Sequence, residues 1–224
     1  MFVIQGSTNV KLLDTRWDDL QIEFDSCRNV QVLRNVVNHP HGTGGFGGWA
    51  VGGKYLMEDC VVQDNWFINT DGNDAAIVFK IDNAKMSDVS YRNIRVLDNT
   101  IIYTNPQPTA KRPSAIKFGV ATSSGKYGNI VFDQLTIAGN KIYVAPGVAT
   151  TAASSYIYFN HAPAAGFKFD NTTITNNTLF ADGSKPILAV RDSAKGVNWR
   201  ETNNVETAYQ APPPIPTAQE RSRK

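Results

Sequence analysis

Tyr55-Leu56-Met57-Glu58-Asp59-Cys60-Val61-Val62-Gln63-Asp64-Asn65 and Val89-Ser90-Tyr91-Arg92-Asn93-Ile94-Arg95-Val96-Leu97-Asp98-Asn99 follow one pattern. Each alternates apolar and polar residues, breaks at a polar turn residue, alternates again and closes on Asn. Ile130 to Asn140 and Phe167 to Asn177 repeat it; Asn35 closes an earlier copy (Ser26 to Asn35) and Asn204 a degenerate later one. Successive closing asparagines stand 30, 34, 41, 37 and 27 residues apart. A repeat of this period marks an architecture of stacked units, none of which buries its apolar face alone.

Working outward, a short alternating segment is read ahead of each copy: Ile22-Glu23-Phe24-Asp25, Ile77-Val78-Phe79-Lys80, Ile116-Lys117-Phe118-Gly119, Ile157-Tyr158-Phe159-Asn160 and Leu188-Ala189-Val190-Arg191. Another follows the Asn, as in Trp66-Phe67-Ile68 and Thr100-Ile101-Ile102-Tyr103. Three short strands per period, stacked as coils, turn Ile and Phe inward and run the backbone ladder between coils. The recurrent Asn suits such a turn because it tolerates left-handed backbone, and its amide can bond the Asn one coil away. The differences in step length then fall in turns, as at Asn105 to Ser114 and Gly147 to Ser154. An all-β chain of about six coils with an Asn ladder is expected over residues 1–206. A Pro-rich extended tail, 207–224, follows from Ala211-Pro212-Pro213-Pro214-Ile215-Pro216 and lies on a surface or hangs free.

Composition narrows the function. Twenty asparagines, 17 glycines and 11 prolines in 224 residues argue against a helical protein. A net charge of +2, with no Lys/Arg block, argues against nucleic-acid binding. There is no apolar run near ~20 residues, so no membrane span is expected. The opening Met1-Phe2-Val3-Ile4-Gln5-Gly6 has no basic segment or long apolar stretch, so no signal peptide is read there. Cys27 lies eight residues before its Asn and Cys60 five before its own, so the two occupy different columns and are expected as free thiols. No spacing of Cys and His reads as a zinc site, and no cofactor is implied.

The pattern resembles the right-handed parallel β-helix (pectin-lyase-like) superfamily over residues 9–206. A sandwich of up-and-down strands is the rival, but sandwiches do not repeat a position-specific Asn. The resemblance implies a single-stranded right-handed helix that binds or cleaves polysaccharide along one long face. Outward positions of the first strand fall into two columns: Glu23, Val78, Lys117, Tyr158, Ala189, and Asp25, Lys80, Gly119, Asn160, Arg191. Glu23, Asp25, Lys80, Tyr158, Asn160 and Arg191 are therefore candidate contacts to a hydroxyl-rich ligand, set against the plainer reading of a solvated sheet face. Trp17 and Trp49 are the aromatic candidates for exposure, Trp49 because it follows the Gly-rich run Gly42 to Gly48, read as flexible and exposed; Trp66 is left open between surface and core.

Asn69-Thr70-Asp71-Gly72-Asn73-Asp74 is similar to the Asn-Thr-Asp-Gly motif of polygalacturonases, whose Asp belongs to the catalytic carboxylates. Ala115-Ile116-Lys117 resembles that family's Arg-Ile-Lys segment, with Ala in place of Arg. The family's Asp-Asp pair and Gly-His-Gly are missing between them. On this resemblance the catalytic candidates are Asp71, Asp74, Asp82 and Lys117; inverting hydrolysis needs an acid and a base about 6.5–9.5 Å apart. Asp18-Asp19 and Asp71 to Asp74 are the only dense acidic groups, too few for six to eight calcium donors to be read from sequence. No metal is assigned.

The sequence enters a coil by Val10 with no helix ahead of it, and open coil ends need cover. Either the sequence is a fragment of a longer chain or partner chains cover the ends, and both favour a tail or spike subunit, in the virion or otherwise extracellular. The expectation is a bacteriophage tailspike-like component that binds bacterial surface polysaccharide, as a homotrimer or with other virion subunits. Two alternatives stay open: a polysaccharide hydrolase or lyase of the same fold, and a purely structural shaft.

Overall fold

A computed structural model describes residues 2–39, 44–50, 54–70, 75–81, 88–104, 114–120, 128–148, 155–161, 166–183 and 185–221, with the backbone alone over 44–50 and at 54. Among these residues the chain makes seven successive turns. The first comprises β1 (Phe2–Gln5), β2 (Lys11–Leu13) and β3 (Arg16–Asp18); the second β4 (Ile22–Asp25), β5 (Arg28–Leu33) and β6 (Val36–Asn38). The third is β7 (Gly44–Ala50), β8 (Lys54–Gln63) and β9 (Trp66–Ile68); the fourth β10 (Ala75–Ile81), β11 (Asp88–Leu97) and β12 (Thr100–Tyr103). The fifth is β13 (Ser114–Val120), β14 (Asn129–Ala138) and β15 (Lys141–Val144). The sixth is β16 (Ile157–Asn160), β17 (Phe169–Asp170), β18 (Thr173–Thr175) and β19 (Thr178–Ala181); the seventh β20 (Leu188–Ala189), β21 (Arg200–Thr202) and β22 (Val205–Thr207).

Every pairing joins one coil to the next and is parallel. Three sheets result: A in the order β1-β4-β7-β10-β13-β16-β20, B in the order β2-β5-β8-β11-β14-β18-β21, and C from β3 to β22. This is a right-handed parallel β-helix, as the repeat predicts, with the handedness usual for parallel crossovers. Parallel pairing throughout excludes the up-and-down sandwich.

The Asn ladder is continuous. The Nδ2 of Asn35 donates to Oδ1 of Asn65 (2.9 Å), Asn65 to Asn99 (3.0 Å), Asn99 to Asn140 (3.0 Å), Asn140 to Asn177 (2.9 Å) and Asn177 to Asn204 (2.9 Å). Each Oδ1 also accepts the main-chain N–H of the Asn one coil earlier, as Asn140 does from Asn99 at 3.1 Å. The second amide hydrogen goes to a carbonyl, for Asn99 that of Val62 at 2.8 Å. Asn35, Asn65, Asn99, Asn140 and Asn177 are wholly buried, and full satisfaction is what makes five buried amides tolerable.

The expected stack of about six coils is present as six that close on Asn, preceded by one with Thr15 in the ladder position, whose N–H and hydroxyl both donate to Asn35 Oδ1. One expectation needs correction: the ladder Asn is not the left-handed residue. Positive φ belongs to the residue before it, in the column Asp14, Arg34, Asp64, Asp98, Gly139, Asn176 and Asn203. Splitting the work lets the αL residue turn the chain while the Asn stays in register for bonding. A second αL column, Asn29, Asp59, Asn93, Gln134 and Asn171, is the polar turn residue within each repeat, and it bends sheet B.

The bore is filled by stacked rings. Phe79, Phe118 and Phe159 lie 5.2 and 5.4 Å apart, nearly parallel, and Tyr91 stacks on Phe132 at 4.8 Å. In-register parallel strands put like over like, so one aromatic per coil at a fixed position becomes a column. Cys27 and Cys60 are buried, free thiols, and burial pushes both thiol pKa values up.

Beyond Thr207 the chain has no strand until a single helical turn, α1 (Ala218–Arg221). It runs back against the helix: the Tyr209 N–H donates to Asp182 Oδ1 at 3.0 Å, and Arg221 ends buried.

Candidate functional site

Sheet A carries most of the residues singled out above, and its register tests how they were grouped. Glu23 pairs with Gly47, Gly47 with Val78, Val78 with Lys117, Lys117 with Tyr158 and Tyr158 with Ala189. Trp49 pairs with Lys80, Lys80 with Gly119 and Gly119 with Asn160. The first column therefore exists as expected and the second from Lys80 to Asn160, with β7 inserted in each. That strand corrects the reading of Gly42 to Gly48 as a flexible run: Gly44 to Ala50 is a central strand of sheet A, while Gly42 and Thr43 lie outside the described residues. Glycine disfavours a strand interior by itself, but pairing on both sides with β4 and β10 overrides propensity. Trp49 takes the position opposite Lys80 by its backbone register.

Outward parity does not mean exposure. Glu23 is 7% exposed and Lys80 5%, and the outward Ala76 and Val78 are wholly buried, so sheet A is screened from solvent over its middle coils. Glu23 and Lys80 are both engaged by neighbours, which suits them to structural pairing more than to direct ligand contact. Lys117 is half-buried and also engaged. Asp25 is half-buried and accepts the Gln5 side-chain amide at 2.7 Å and the Ser26 hydroxyl at 3.1 Å. Trp17 is a second correction: it is the middle residue of β3, pairs with the buried Val37 and packs against the core. In a three-residue strand whose ends face out, the centre faces in.

The screening ends at the sixth and seventh coils. There Tyr158, Asn160 and Arg191 line a cleft of about 150 Å3 together with His161 and Ala189. Three predicted contacts are thus brought to one place, Tyr158 and Asn160 half-buried and Arg191 exposed. The Tyr158 hydroxyl donates to Asn160 Oδ1 at 3.3 Å, and the Asn160 amide donates to the Val120 carbonyl one coil earlier. Gly119 makes that approach possible. Its φ is +122°, and a Cβ there would sit 2.0 Å from the Asn160 carbonyl oxygen.

His161 joins this site without having been singled out for it. Its ring is buried, Nε2 lies 2.7 Å from the Phe167 carbonyl, and Nδ1 has no partner among the described residues. With Nε2–H donating, Nδ1 is a buried acceptor beside the cleft. The sequence signal was only its place one residue beyond an outward strand end.

Of the catalytic candidates, Asp71, Asp74 and Asp82 lie outside the described residues. The start of their motif is described: Asn69 is left-handed (φ 51°) and donates to Asn38 Oδ1 at 2.7 Å, and Thr70 is buried. This is a C-to-A junction, ahead of β10, with Lys117 one coil further on. Among the described residues, no group of three His, Cys, Asp or Glu side chains could hold a metal ion. Nor, among the described residues, is any helix long and apolar enough to cross a membrane.

No protein-family model matches the chain, and neither a curated protein nor a solved structure matches it. The fold assignment rests on the register and the ladder.

Proposed function

We propose that this protein is a β-helical polysaccharide-binding component, of the kind carried on phage tails or otherwise outside cells, that engages bacterial surface glycan on sheet A. One observation carries the reading: Tyr158, Asn160 and Arg191, from two successive coils, surround one cleft at the open end of that face. The set combines an aromatic ring, a bifunctional amide and a cation, which suits a ring with hydroxyls and an occasional acidic group. A stiff scaffold with coils ~4.8 Å apart offers a long chain one residue per step or two. Association into trimers belongs to the same proposal, as does cleavage of the bound glycan by Lys117 with the carboxylates Asp71, Asp74 and Asp82.

Retention of the full chain on a panel of immobilised bacterial exopolysaccharides tests it. At least one glycan should retain the protein. Tyr158→Ala and Arg191→Ala should each weaken retention about tenfold, the equivalent of ~1.4 kcal/mol, while Arg95→Ala on sheet B leaves it unchanged. New reducing ends or unsaturated products would add depolymerase activity, and their survival in Asp71→Ala/Asp82→Ala would remove those acids from the mechanism. A folded chain that no glycan retains overturns the proposal and leaves the structural shaft.

A further inference from the structure

The outer side of sheet C differs from that of sheet A. Val36, Ile68, Ile102 and Tyr143 point away from the bore yet are buried, with Trp66 and Phe180 packed on them. Tyr143 and Phe180 stack at 4.5 Å. Beside this cluster the returning C-terminal segment closes a cavity of about 420 Å3, with Pro213, Pro216 and Arg221 on one wall and the B–C corner on the other. Its volume falls in the range of small-molecule pockets, about 300–1,000 Å3.

The lining has a definite chemistry. Trp66 is half-buried, resting on the apolar cluster and bordering the cavity. Thr100 and Lys141 succeed it in the same column, one coil apart each. Lys141 is exposed and has no ion-pair partner among the described residues. Asp64 and Asp98 stand at the adjacent corner, the latter meeting the Gln63 amide only at 3.5 Å. Arg221 is 8% exposed, and its Nε has no hydrogen-bond partner among the described residues, although Nη1 donates to the Pro216 carbonyl at 2.7 Å. Arg34 is occupied by Asp14 at 2.8 Å, and Glu220 by Thr217. Three cations (Arg34, Lys141, Arg221) face three anions (Asp64, Asp98, Glu220), so the lining carries no net charge.

We infer that the cavity under the C-terminal segment is a second saccharide site, taking one neutral pyranose unit with an apolar ring face on Trp66. The inference rests on the glycan-binding reading above, and it adds a site on the far side of the helix. Donors and acceptors both line the cavity, which suits vicinal hydroxyls that give to a carboxylate and accept from an ammonium or guanidinium at once. The balanced charge disfavours strongly anionic or cationic ligands. The Arg221 Nε is a donor that no described residue satisfies.

Titration of the full chain with glucose, galactose, mannose and N-acetylglucosamine, and with glucuronate as the acidic control, is read by backbone amide NMR. A neutral sugar should shift the amides of Trp66, Thr100, Lys141 and residues 217–221 while those of Tyr158 and Arg191 stay put. Lys141→Ala and Trp66→Phe, both expected to fold, should each weaken that response at least fivefold, and Tyr158→Ala should not alter it. If no neutral sugar moves these amides in the folded chain, or glucuronate alone does, the inference is overturned. Loss of polysaccharide retention in Tyr158→Ala reports on sheet A, so the two readings fail separately.

Discussion

The corner between sheets B and C and the junction between sheets C and A both turn the chain from one sheet to the next, by opposite means. At the B–C corner every coil spends two residues, from Asp14-Thr15 to Asn203-Asn204. At the C–A junction the gap runs from three residues, between β3 and β4, to twelve, between β15 and β16. The first corner is written in buried hydrogen bonds, each with one donor and one acceptor in fixed places, so neither length nor identity can drift. The second is limited only by loop closure, whose cost rises slowly with length. Constancy in this molecule marks buried polar chemistry, and variation marks the side where the sheet A site lies.

The sharpest way to break that comparison is at the middle of the ladder. Asn99→Ala leaves the Asn65 main-chain N–H and its side-chain amide without their shared acceptor. At about 1–3 kcal/mol for each buried group left unpaired, the loss should be about 3–5 kcal/mol, read as a lowered urea midpoint. Four residues inserted between β12 and β13 should cost less than about 1 kcal/mol by the same measurement. Equal losses would refute the division of labour. Gly119→Ala is next: its Cβ would meet the Asn160 carbonyl at 2.0 Å, with φ at +122°. About 3 kcal/mol is expected, together with weaker glycan retention, because the cleft depends on that approach.

This difference also explains what could be read from sequence. The ladder was legible because one residue type is required once per coil, and the outward columns because parallel register carries strand parity unchanged from coil to coil. β7 was not, since Gly44-Gly45-Phe46-Gly47-Gly48 has no strand propensity and gains its pairing from both neighbours. The αL column was harder to read: Asp14, Arg34, Asp64, Asp98, Gly139, Asn176 and Asn203 share a backbone conformation, but four residue types fill it, so no single side chain marks it once per coil. The burial of Glu23 and Lys80 depends on what covers sheet A, and local alternation carries no record of it. Arg221 and Trp66 meet only because the tail folds back, a contact between residues far apart in sequence with no repeat to announce it.

A thiol probe sharpens the comparison further. Cys60 is wholly buried in β8, two positions from Val62, whose carbonyl accepts from Asn99. Burial raises its pKa well above the ordinary thiol value, so little thiolate forms at neutral pH. DTNB should therefore leave both cysteines unmodified in the native protein, and in Asn99→Ala labelling should run at least tenfold faster through local opening. Fast labelling of the unsubstituted chain would mean that the ladder does not hold the coils shut.

The smallest effect is expected where the corner reaches solvent. Asp14 and Arg34 occupy successive αL positions and form a two-pronged pair, with Nε and Nη2 both 2.8 Å from the carboxylate. The hydrogen bonds from Arg34 hold the Asp14 carboxyl below its usual pKa, so the native state binds its proton less readily than the unfolded chain. The stabilisation is thus fully present above the ordinary carboxylate value of about 4 and fades as pH falls through the lowered one. Partial exposure limits it to about 0.5 kcal/mol. Asp14→Asn should match the unsubstituted chain near pH 2 and fall behind by that amount at pH 6, measured by urea denaturation at each pH. A gap that persists unchanged to pH 2 would assign the loss to the turn itself, and would bring this exposed end of the corner under the same rule as the buried ladder.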